Sequence, residues 1–442
     1  MKKQKIAFHT LGCKLNFSET SAISRSFSHD GFEQVGFDDQ ADIYVINSCS
    51  VTKNAEKRCK AFIRQAIKRN PHAFVAVVGC YSQINPEELK KVPGVGLVLG
   101  NAEKFNLFEH IKRVQQHSSV TAKDSSLSAT EGIYESGSQP YEPLNKFVPS
   151  WSAGDRTRSF FKIQDGCDYF CSYCTIPMAR GRSRSDTITG TLQMAKQIAQ
   201  TNVKEIVLSG VNIGDFGKQH NERFVDLLKE LVKIEGIERI RISSVEPDLL
   251  HDDIIHLVAA HPKLMPHFHI PLQAGSDDVL KAMRRRYDTS LFLNRVDSIR
   301  RLIPDACIAV DLIVGFPTET NELFEASYQF IRNLEVSYIH VFTYSDRELT
   351  KAQTLPDLVD AAERHERSKK MHELSSEKKR IFYLQNQGKR ATVLWENNQH
   401  HGFMTGFTEN YLKAKTQFDP SKVNQLQTIV LNNIETEEVY LV

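Results

Sequence analysis

The chain has 442 residues and a formal net charge of +2, so its overall charge does not by itself indicate a nucleic-acid or membrane partner. Since a domain typically has about 150 residues, this length predicts roughly three domains. No apolar run approaches the ~18 residues that cross a bilayer, and no signal-peptide core follows the first lysines, so we expect a cytoplasmic protein without a membrane partner.

Three of the eight cysteines each follow a short apolar run in the N-terminal part of the chain. Cys13 follows the predicted strand Lys5–Thr10, Cys49 follows Asp42–Ser48, and Cys80 follows Phe74–Gly79. A polar, helix-like stretch follows each cysteine, so the region predicts an α/β domain with a parallel sheet. The carboxyl ends of parallel strands form a ligand-binding edge, where we expect the three thiols to lie. Chance is the competing interpretation, because free cysteine is often simply buried.

A linker and a second α/β region follow. Residues 117–150 are rich in Ser, Thr, Gly and Pro, which is typical of a mobile linker. From Arg158 the alternation resumes, and its predicted strands are Ser159–Gln164, Glu205–Gly210, Arg239–Val245, Phe268–Leu272, Ile308–Val314 and Tyr338–Tyr344. These parallel βα units indicate a partial (β/α)6 barrel, with its chemistry at the carboxyl ends of the strands.

The C-terminal part predicts a charged helix and a small β-barrel. The helical stretch covers Pro356–Gln385, and short alternating runs begin at Gly388. The predicted domains are therefore residues 1–116, the linker 117–150, the barrel 151–382 and the small β-barrel 383–442.

A second set of three cysteines is compact. Cys167, Cys171 and Cys174 form the motif C-x-x-x-C-x-x-C in the loop after the first predicted barrel strand. Structural zinc is nearly always four-coordinate, and neither a fourth cysteine nor a histidine lies in this loop, so zinc is the weaker alternative. Two sets of three thiols in a reducing compartment predict two iron–sulfur clusters, each with one iron open for chemistry.

The compact motif resembles the signature of the radical S-adenosylmethionine (SAM) superfamily. This resemblance implies that its three cysteines hold a catalytic 4Fe–4S cluster, whose open iron binds SAM and cleaves it to a deoxyadenosyl radical. It also implies SAM contacts from strand ends and turns of the barrel, and the candidates are Gly210, Asn212, Ser243, Glu246 and Gln273. A glycine-rich turn or a capped loop without any ligand is the competing interpretation of these positions.

The sequences around the scattered cysteines are similar to those of the methylthiotransferases within that superfamily. The similar stretches are T-L-G-C-K-L-N over 10–16, N-S-C-S-V-T over 47–52, V-G-C over 78–80 and H-I-P-L-Q-A-G-S over 269–276. The resemblance implies a second 4Fe–4S cluster on Cys13, Cys49 and Cys80, which carries the sulfur to be inserted. It further implies that SAM serves as methyl donor and as radical source, with an electron donor such as flavodoxin or ferredoxin.

The resemblance also favours one substrate. Members of the family modify either an adenosine beside the tRNA anticodon or an aspartate of a ribosomal protein. The cysteine motifs look most like the branch that adds a methylthio group to C2 of N6-threonylcarbamoyladenosine. The alternatives are the isopentenyladenosine branch, the ribosomal-protein branch and, outside enzymes, an iron–sulfur RNA-binding protein without catalysis.

Local basic clusters and the C-terminal barrel predict contacts with RNA rather than DNA. The stretch Gly406–Lys413 resembles the signature of the TRAM domain, and small β-barrels of this kind bind nucleic acid. Basic residues also crowd Lys53–Arg69 and follow Gln273. The predicted contacts to the tRNA anticodon stem-loop are Lys57, Arg58, Arg64, Arg284, Arg286, Asn410 and Lys413. A solvated surface is the competing interpretation of each cluster.

Three features carry no predicted chemistry. We expect Cys59 and Cys307 to be structural thiols, and His267 and His269 to be core residues of the barrel. Leu349 stands where the family resemblance leads us to expect a glycine, which leaves the conformation of its loop open.

Overall fold

The computed structural model describes residues 3–27, 31–121, 144, 146–154, 157–435 and 439–442, and only the backbone of 115–121. The chain divides into two compact units. The N-terminal unit contains Met1–Ser152, Gly166–Asp168 and Cys174–Ser183, and the C-terminal unit contains the remainder. Within the described ranges, no helix has the length and apolar character required to cross a bilayer.

The N-terminal unit is an α/β domain. Its elements are β1 (Gln4–Thr10), α1 (Lys14–Ser26), β2 (Phe32–Val35), β3 (Ile43–Ser48), α2 (Lys53–Arg69), β4 (Phe74–Gly79), α3 (Cys80–Ile84), α4 (Pro86–Lys90), β5 (Val95–Leu99), α5 (Leu107–Thr121), β6 (Ser150–Trp151) and α6 (Ile176–Arg180). Strands β2-β1-β3-β4-β5 form one sheet in that order, and every neighbouring pair is parallel. The predicted parallel sheet is confirmed.

Burial on both faces explains why the central strands of this sheet were predictable. Strand β3 is buried throughout, and apolar clusters that include Ile63 and Ile111 cover the two faces. A strand that is covered on both faces needs an almost continuous apolar run. Strand β2 lies at the sheet edge and is mostly exposed, so its sequence carries no such run. The predicted linker 117–150 falls largely outside the described residues, and α5 extends into it.

The C-terminal unit contains the second α/β region and a β-rich end. Its elements are β7 (Ser159–Lys162), β8 (Gln164–Asp165), β9 (Arg184–Ser185), α7 (Ile188–Ala199), β10 (Glu205–Ser209), α8 (Phe224–Leu231), β11 (Arg239–Ile242), α9 (Asp252–Ala260), β12 (His267–Gln273), α10 (Asp277–Ala282), α11 (Thr289–Leu302), β13 (Cys307–Val314), α12 (Asn321–Asn333), β14 (Tyr338–Thr343), α13 (Ala361–Asn386), β15 (Arg390–Trp395), β16 (Phe403–Thr408), β17 (Lys413–Gln417), β18 (Leu426–Val430), β19 (Asn433–Ile434) and β20 (Tyr440–Leu441).

The predicted partial barrel is confirmed. Its strands form two parallel sheets that follow one another along the chain. Strands β7, β10 and β11 pair in one sheet, and β12, β13 and β14 pair in the other. Isolated parallel bridges, Ile240 of β11 to Leu264 and Ser244 to His269 of β12, connect the segments around these two strands. The carboxyl ends of all these strands therefore face the same end of the barrel, which is where such folds place their chemistry.

The C-terminal sheet curls around a buried apolar core. Its strand order is β18-β15-β16-β17-β20-β19, and Trp395, Met404 and Tyr440 are buried inside it. The predicted small β-barrel is thus confirmed. Helix α13 packs Phe382 and Tyr383 into the same core, so the predicted boundary at residue 383 falls inside one helix.

A buried ion cluster ties this small barrel to the larger one. Arg241 donates to Glu205 at 2.8 Å and to the carbonyl oxygen of Thr408 at 3.2 Å. Burial opposes the ionisation of Glu205, but Arg241 and Arg158 outweigh it and lower the pKa of that carboxyl. Because a lone buried charge is costly, these side chains fix the joint between the barrels.

Candidate active site

The compact cysteine motif occupies a loop with tight turns. In the N-terminal unit, the N–H of Cys167 donates to the carbonyl oxygen of Gly181 at 3.0 Å, and the N–H of Ile176 donates to Cys174 Sγ at 3.4 Å. Gly166 has φ +72°, and a Cβ there would lie 2.0 Å from the carbonyl oxygen of Arg182. A glycine is therefore required directly before the first cysteine of the motif.

The middle cysteine of the motif has a cationic neighbour within the C-terminal unit. Arg285 Nη1 lies 3.0 Å from Cys171 Sγ, and the same guanidinium forms an ion pair with Glu246. Burial raises the pKa of the Cys171 thiol, and Arg285 opposes that rise by favouring the thiolate. The site thus places a positive charge beside this sulfur, where it favours the deprotonated form that a metal cluster would need.

Glu246 lies in the site but is engaged by protein. It is one of the predicted SAM contacts, and its partly buried carboxylate is paired with Arg285. Sequence reasoning missed Arg285 as a site residue, because the triple Arg284–Arg286 gives no sign of which guanidinium turns inward. Arg284 and Arg286 themselves are exposed, and the Arg286 guanidinium lies 4.0 Å from the centre of the Tyr169 ring.

A second part of the barrel end contains a buried acceptor. Gln164 Oε1 accepts the N–H of Asn212 at 2.8 Å, and a Cβ at Gly210 would lie 2.8 Å from that oxygen. Asn212 is 1% exposed, and its Oδ1 has no hydrogen-bond partner among the described residues. A buried acceptor of this kind fits a donor group of a bound ligand such as SAM.

The other predicted SAM contacts lie at neighbouring strand ends. Ser243 directly follows β11 and is buried, with its N–H on the carbonyl oxygen of Leu208 at 3.2 Å. Gln273 ends β12 with φ +65°, where the pairing with β13 becomes irregular. All five candidates therefore belong to the carboxyl ends of β10, β11 and β12 or to the turns that follow them.

The scattered cysteines lie at the ends of three adjacent strands. Cys13 follows β1 as the N-cap of α1, Cys49 follows β3, and Cys80 directly follows β4. Burial, and then the Cys80 and Cys13 thiols, raise the pKa of Cys49 to about 12. A free Cys49 thiolate is therefore disfavoured, whereas a bound metal would stabilise the deprotonated sulfur. The donor set fits a cluster.

A single shared ion fits the scattered thiols less well. Among the described residues, the group of three metal-ligating side chains whose ligand atoms all lie within 4.8 Å is His269, Asp311 and His340, and not these cysteines. In a four-iron cluster each thiolate binds a different iron, so wider spacing is expected. Within the histidine group, His269 Nε2 lies 2.8 Å from Asp311 Oδ1, which agrees with a hydrogen-bonded barrel residue.

The predicted RNA contacts differ in accessibility. Lys57, Arg58 and Arg64 lie exposed on α2 of the N-terminal unit. In the C-terminal unit, Lys413 begins β17 and is half-buried, whereas Asn410 is buried. The Asn410 amide donates to the carbonyl oxygen of Asp305 at 3.0 Å and to Asn386 Oδ1 at 3.1 Å. Asn410 therefore also holds the small barrel against its neighbours.

Two family descriptions match the chain. Residues 5–100 match the uncharacterized protein family UPF0004, and residues 161–331 match the radical SAM superfamily. Membership of that superfamily implies the use of SAM and a 4Fe–4S cluster.

Several curated proteins and solved structures are similar to the chain. The threonylcarbamoyladenosine tRNA methylthiotransferase MtaB of Bacillus subtilis is 36% identical, over 92% of this chain and 89% of that protein. MtaB of Aquifex aeolicus is 37% identical, over 93% and 97%. The tRNA-2-methylthio-N(6)-dimethylallyladenosine synthase of Clostridium tetani is 32% identical, over 84% and 82%.

Among solved structures, the radical S-adenosylmethionine methyltransferase TsrM of Kitasatospora setae superposes with a TM-score of 0.55 at 12% identity, over 77% of this chain and 73% of that chain. This likeness shows the fold alone. The sequence similarity to MtaB extends over almost the whole length of both chains. This chain therefore belongs to the radical SAM methylthiotransferase family.

Proposed function

We propose that this protein adds a methylthio group to C2 of N6-threonylcarbamoyladenosine beside the anticodon of tRNA, with SAM and two 4Fe–4S clusters as cofactors. The observation that carries the proposal is the second thiol set, Cys13, Cys49 and Cys80, at three adjacent strand ends of a unit that also holds Cys167 and Cys174. The names of the MtaB relatives support the modified adenosine as substrate.

Residues of the chain would bind SAM and stabilise the charge of a cluster ligand. When bound, the clusters and SAM supply electrons, radical chemistry and sulfur. Arg285 places a positive charge beside Cys171, while Asn212 would offer a buried oxygen to a donor group of SAM. Holding both thiol sets in one chain replaces a rare encounter between radical source and sulfur source.

The RNA-binding surfaces are part of the same proposal. The exposed basic face of α2, formed by Lys57, Arg58 and Arg64, would contact phosphates of the anticodon stem-loop. Arg284, Arg286 and Lys413 would add contacts from the C-terminal unit. Flavodoxin or ferredoxin would supply the reducing electrons.

The direct test is mass spectrometry of tRNA nucleosides from cells that lack this protein. We expect the 2-methylthio derivative of threonylcarbamoyladenosine to disappear and its precursor to accumulate. Wild-type protein and Cys59→Ala should restore the derivative, because Cys59 is buried within α2 and belongs to neither triad. Cys13→Ala should not restore it.

Other outcomes of that experiment identify the alternatives. Loss of a methylthiolated ribosomal protein with unchanged tRNA would overturn the proposed substrate, as would loss of the isopentenyladenosine derivative alone. A third outcome concerns catalysis itself. If the purified protein binds tRNA but never releases deoxyadenosine from SAM under strong reductant, it is an iron–sulfur RNA-binding protein and not an enzyme.

Iron content tests the number of clusters. We expect about eight irons per chain and about four in the Cys13→Ala/Cys49→Ala/Cys80→Ala variant. If that variant keeps all its iron, the scattered triad is not a cluster site.

A further inference from the structure

A buried polar network lies beside the scattered cysteines in the N-terminal unit. At its centre, Glu19 accepts hydrogen bonds from Lys104 Nζ at 2.5 Å and from Arg180 at 3.0 Å. Each cation also donates to an asparagine oxygen: Lys104 to Asn101 Oδ1 at 2.7 Å, and Arg180 to Asn16 Oδ1 at 2.6 Å. The two asparagines therefore stand between the charged groups and the thiols.

The neighbours of Asn101 fix the orientation of its amide. Lys104 carries only donors, so the amide atom that faces it is the oxygen. The carbonyl oxygen of Ala179 only accepts, and it lies 2.8 Å from the amide nitrogen. Exchanging the two amide atoms would break both contacts, so oxygen and nitrogen are assigned from both sides.

One N–H of this amide remains for Cys80. Asn101 Nδ2 lies 3.5 Å from Cys80 Sγ, within hydrogen-bond range for sulfur. The backbone N–H of Asn101 donates to Gln83 Oε1 at 2.9 Å, which ties the residue to the short helix α3 that Cys80 begins. Asn101 is only 7% exposed, so water competes poorly for this donor.

The second asparagine is arranged differently. The Asn16 amide nitrogen donates to the carbonyl oxygens of Leu11 at 2.6 Å and Ser48 at 3.1 Å. Its oxygen, an acceptor only, is the atom that faces Cys13 Sγ, at 3.9 Å. Of these two amides, only that of Asn101 presents an N–H to a sulfur.

We propose that Asn101 is a positioning residue of the second cluster, which donates its amide N–H to Cys80 Sγ and thereby raises the reduction potential of that cluster. Hydrogen bonds to cluster sulfurs act in this direction because they stabilise the added negative charge of the reduced state. Lys104 and Ala179 act through Asn101 by holding the donor in place. This inference rests on the proposed function, since it takes Cys80 to be a cluster ligand.

The test is an EPR-monitored redox titration of full-length protein in which Cys167, Cys171 and Cys174 are replaced by alanine, so that the second cluster gives the only signal. Asn101→Ala removes the donor, and Asn101→Asp replaces it with an acceptor of the same size. In both variants we expect the midpoint potential to fall, with a reduced-to-oxidised ratio at least tenfold lower at a given potential, or about 59 mV for one electron.

The matched control is Asn106→Asp. Asn106 is exposed, and its amide donates to Glu103 at 3.1 Å, so the same substitution there should leave the potential unchanged. Unchanged potentials in both Asn101 variants would overturn the inference. If the protein with Cys167, Cys171 and Cys174 replaced by alanine binds no iron, the second cluster is overturned, and with it the proposed function.

A further measurement decides the matter if the Asn101 variants lose iron. The protein that lacks the three cysteines of the compact motif but keeps Asn101 is labelled with ¹⁵N in its asparagine side-chain amides. A ¹⁵N hyperfine coupling to the reduced cluster would support the hydrogen bond. Absence of that coupling would reject it.

Discussion

The two cysteine triads of this protein are built by different means. Cys167, Cys171 and Cys174 lie within one loop, so their spacing along the chain defines the set. The scattered set comes from the ends of β1, β3 and β4, so the order of strands in the sheet defines it. A loop site depends on its local turns, whereas a site of the second kind exists only while the sheet is folded. Each kind therefore fails for its own reason.

Removing one ligand from each triad is expected to give the largest effects. Cys171→Ala should reduce deoxyadenosine formation from SAM to background, because the proposed function makes Cys171 a ligand of the cluster that binds SAM. Cys49→Ala should keep deoxyadenosine formation and abolish the methylthio product. Mass spectrometry of both products separates the two defects.

The control for this pair is Cys307→Ala, a buried thiol at the start of β13 that belongs to neither triad. It should retain both products. Loss of deoxyadenosine formation in Cys49→Ala would show that the triads are not separate in function.

Two glycines allow each triad to be broken through the backbone. A Cβ at Gly12, which has φ +95°, would lie 2.8 Å from Cys49 Sγ, whereas a Cβ at Gly166 would meet the carbonyl oxygen of Arg182. We expect Gly12→Ala and Gly166→Ala each to lower the iron content from about eight to about four, with a different cluster lost. Iron analysis and EPR of the remaining cluster distinguish them.

Gly388→Ala is the matched control for strain alone. Gly388 has φ +81°, but a Cβ there meets no atom within 4 Å. The substitution should cost about 1–2 kcal/mol of stability and no iron. If this variant also lost iron, backbone strain and not the clash of the new Cβ near the cysteines would explain the iron loss in the other two.

The exposed basic face of α2 lies in the unit that holds the scattered triad. Lys57→Ala/Arg58→Ala should weaken tRNA binding and reduce the salt slope of log K by about 1–2, since each lost phosphate contact removes close to one released counterion. Fluorescence anisotropy at several salt concentrations measures both. Lys369→Ala/Arg380→Ala removes the same two charges from exposed positions on α13 and should change neither. Equal losses in the two variants would indicate a general charge effect.

The smallest expected effect concerns the loop beside the compact motif. Leu349 adopts φ +70°, which costs a leucine energy, and its loop contacts the motif through the N–H of Ala352 on the carbonyl oxygen of Ser172 at 2.7 Å. Leu349→Gly should raise the stability by about 0.5–1 kcal/mol, less than the relieved strain because glycine gains freedom when unfolded. Thermal melting measures the change.

Asn202→Gly is the control, because Asn202 has φ +61° and asparagine tolerates that conformation. It should give no gain. A gain equal to that of Leu349→Gly would contradict the strain assigned to the leucine.

Sequence patterns predicted what depends on short runs and failed where distant segments meet. Strands such as β3 and β4 were predictable because burial on both faces demands apolar runs. The edge strand β2 was missed for lack of such a run. Asn101 and Lys104 were missed because their partners come from α1, α3 and α6, which sequence spacing does not bring together. Arg285 was indistinguishable from its neighbours until the fold turned it toward Cys171.

Helix α6 has a practical consequence for anyone who recombines these proteins. It is five residues long, roughly 7.5 Å at 1.5 Å per residue, with the Ile176 N–H on Cys174 at its start and Arg180 bound to Glu19 at its end. A chimera of two relatives joined near residue 150 would pair α6 of one parent with α1 and Asn101 of the other. A design that also takes residues 174–183 from the parent of the N-terminal domain would keep these contacts intact.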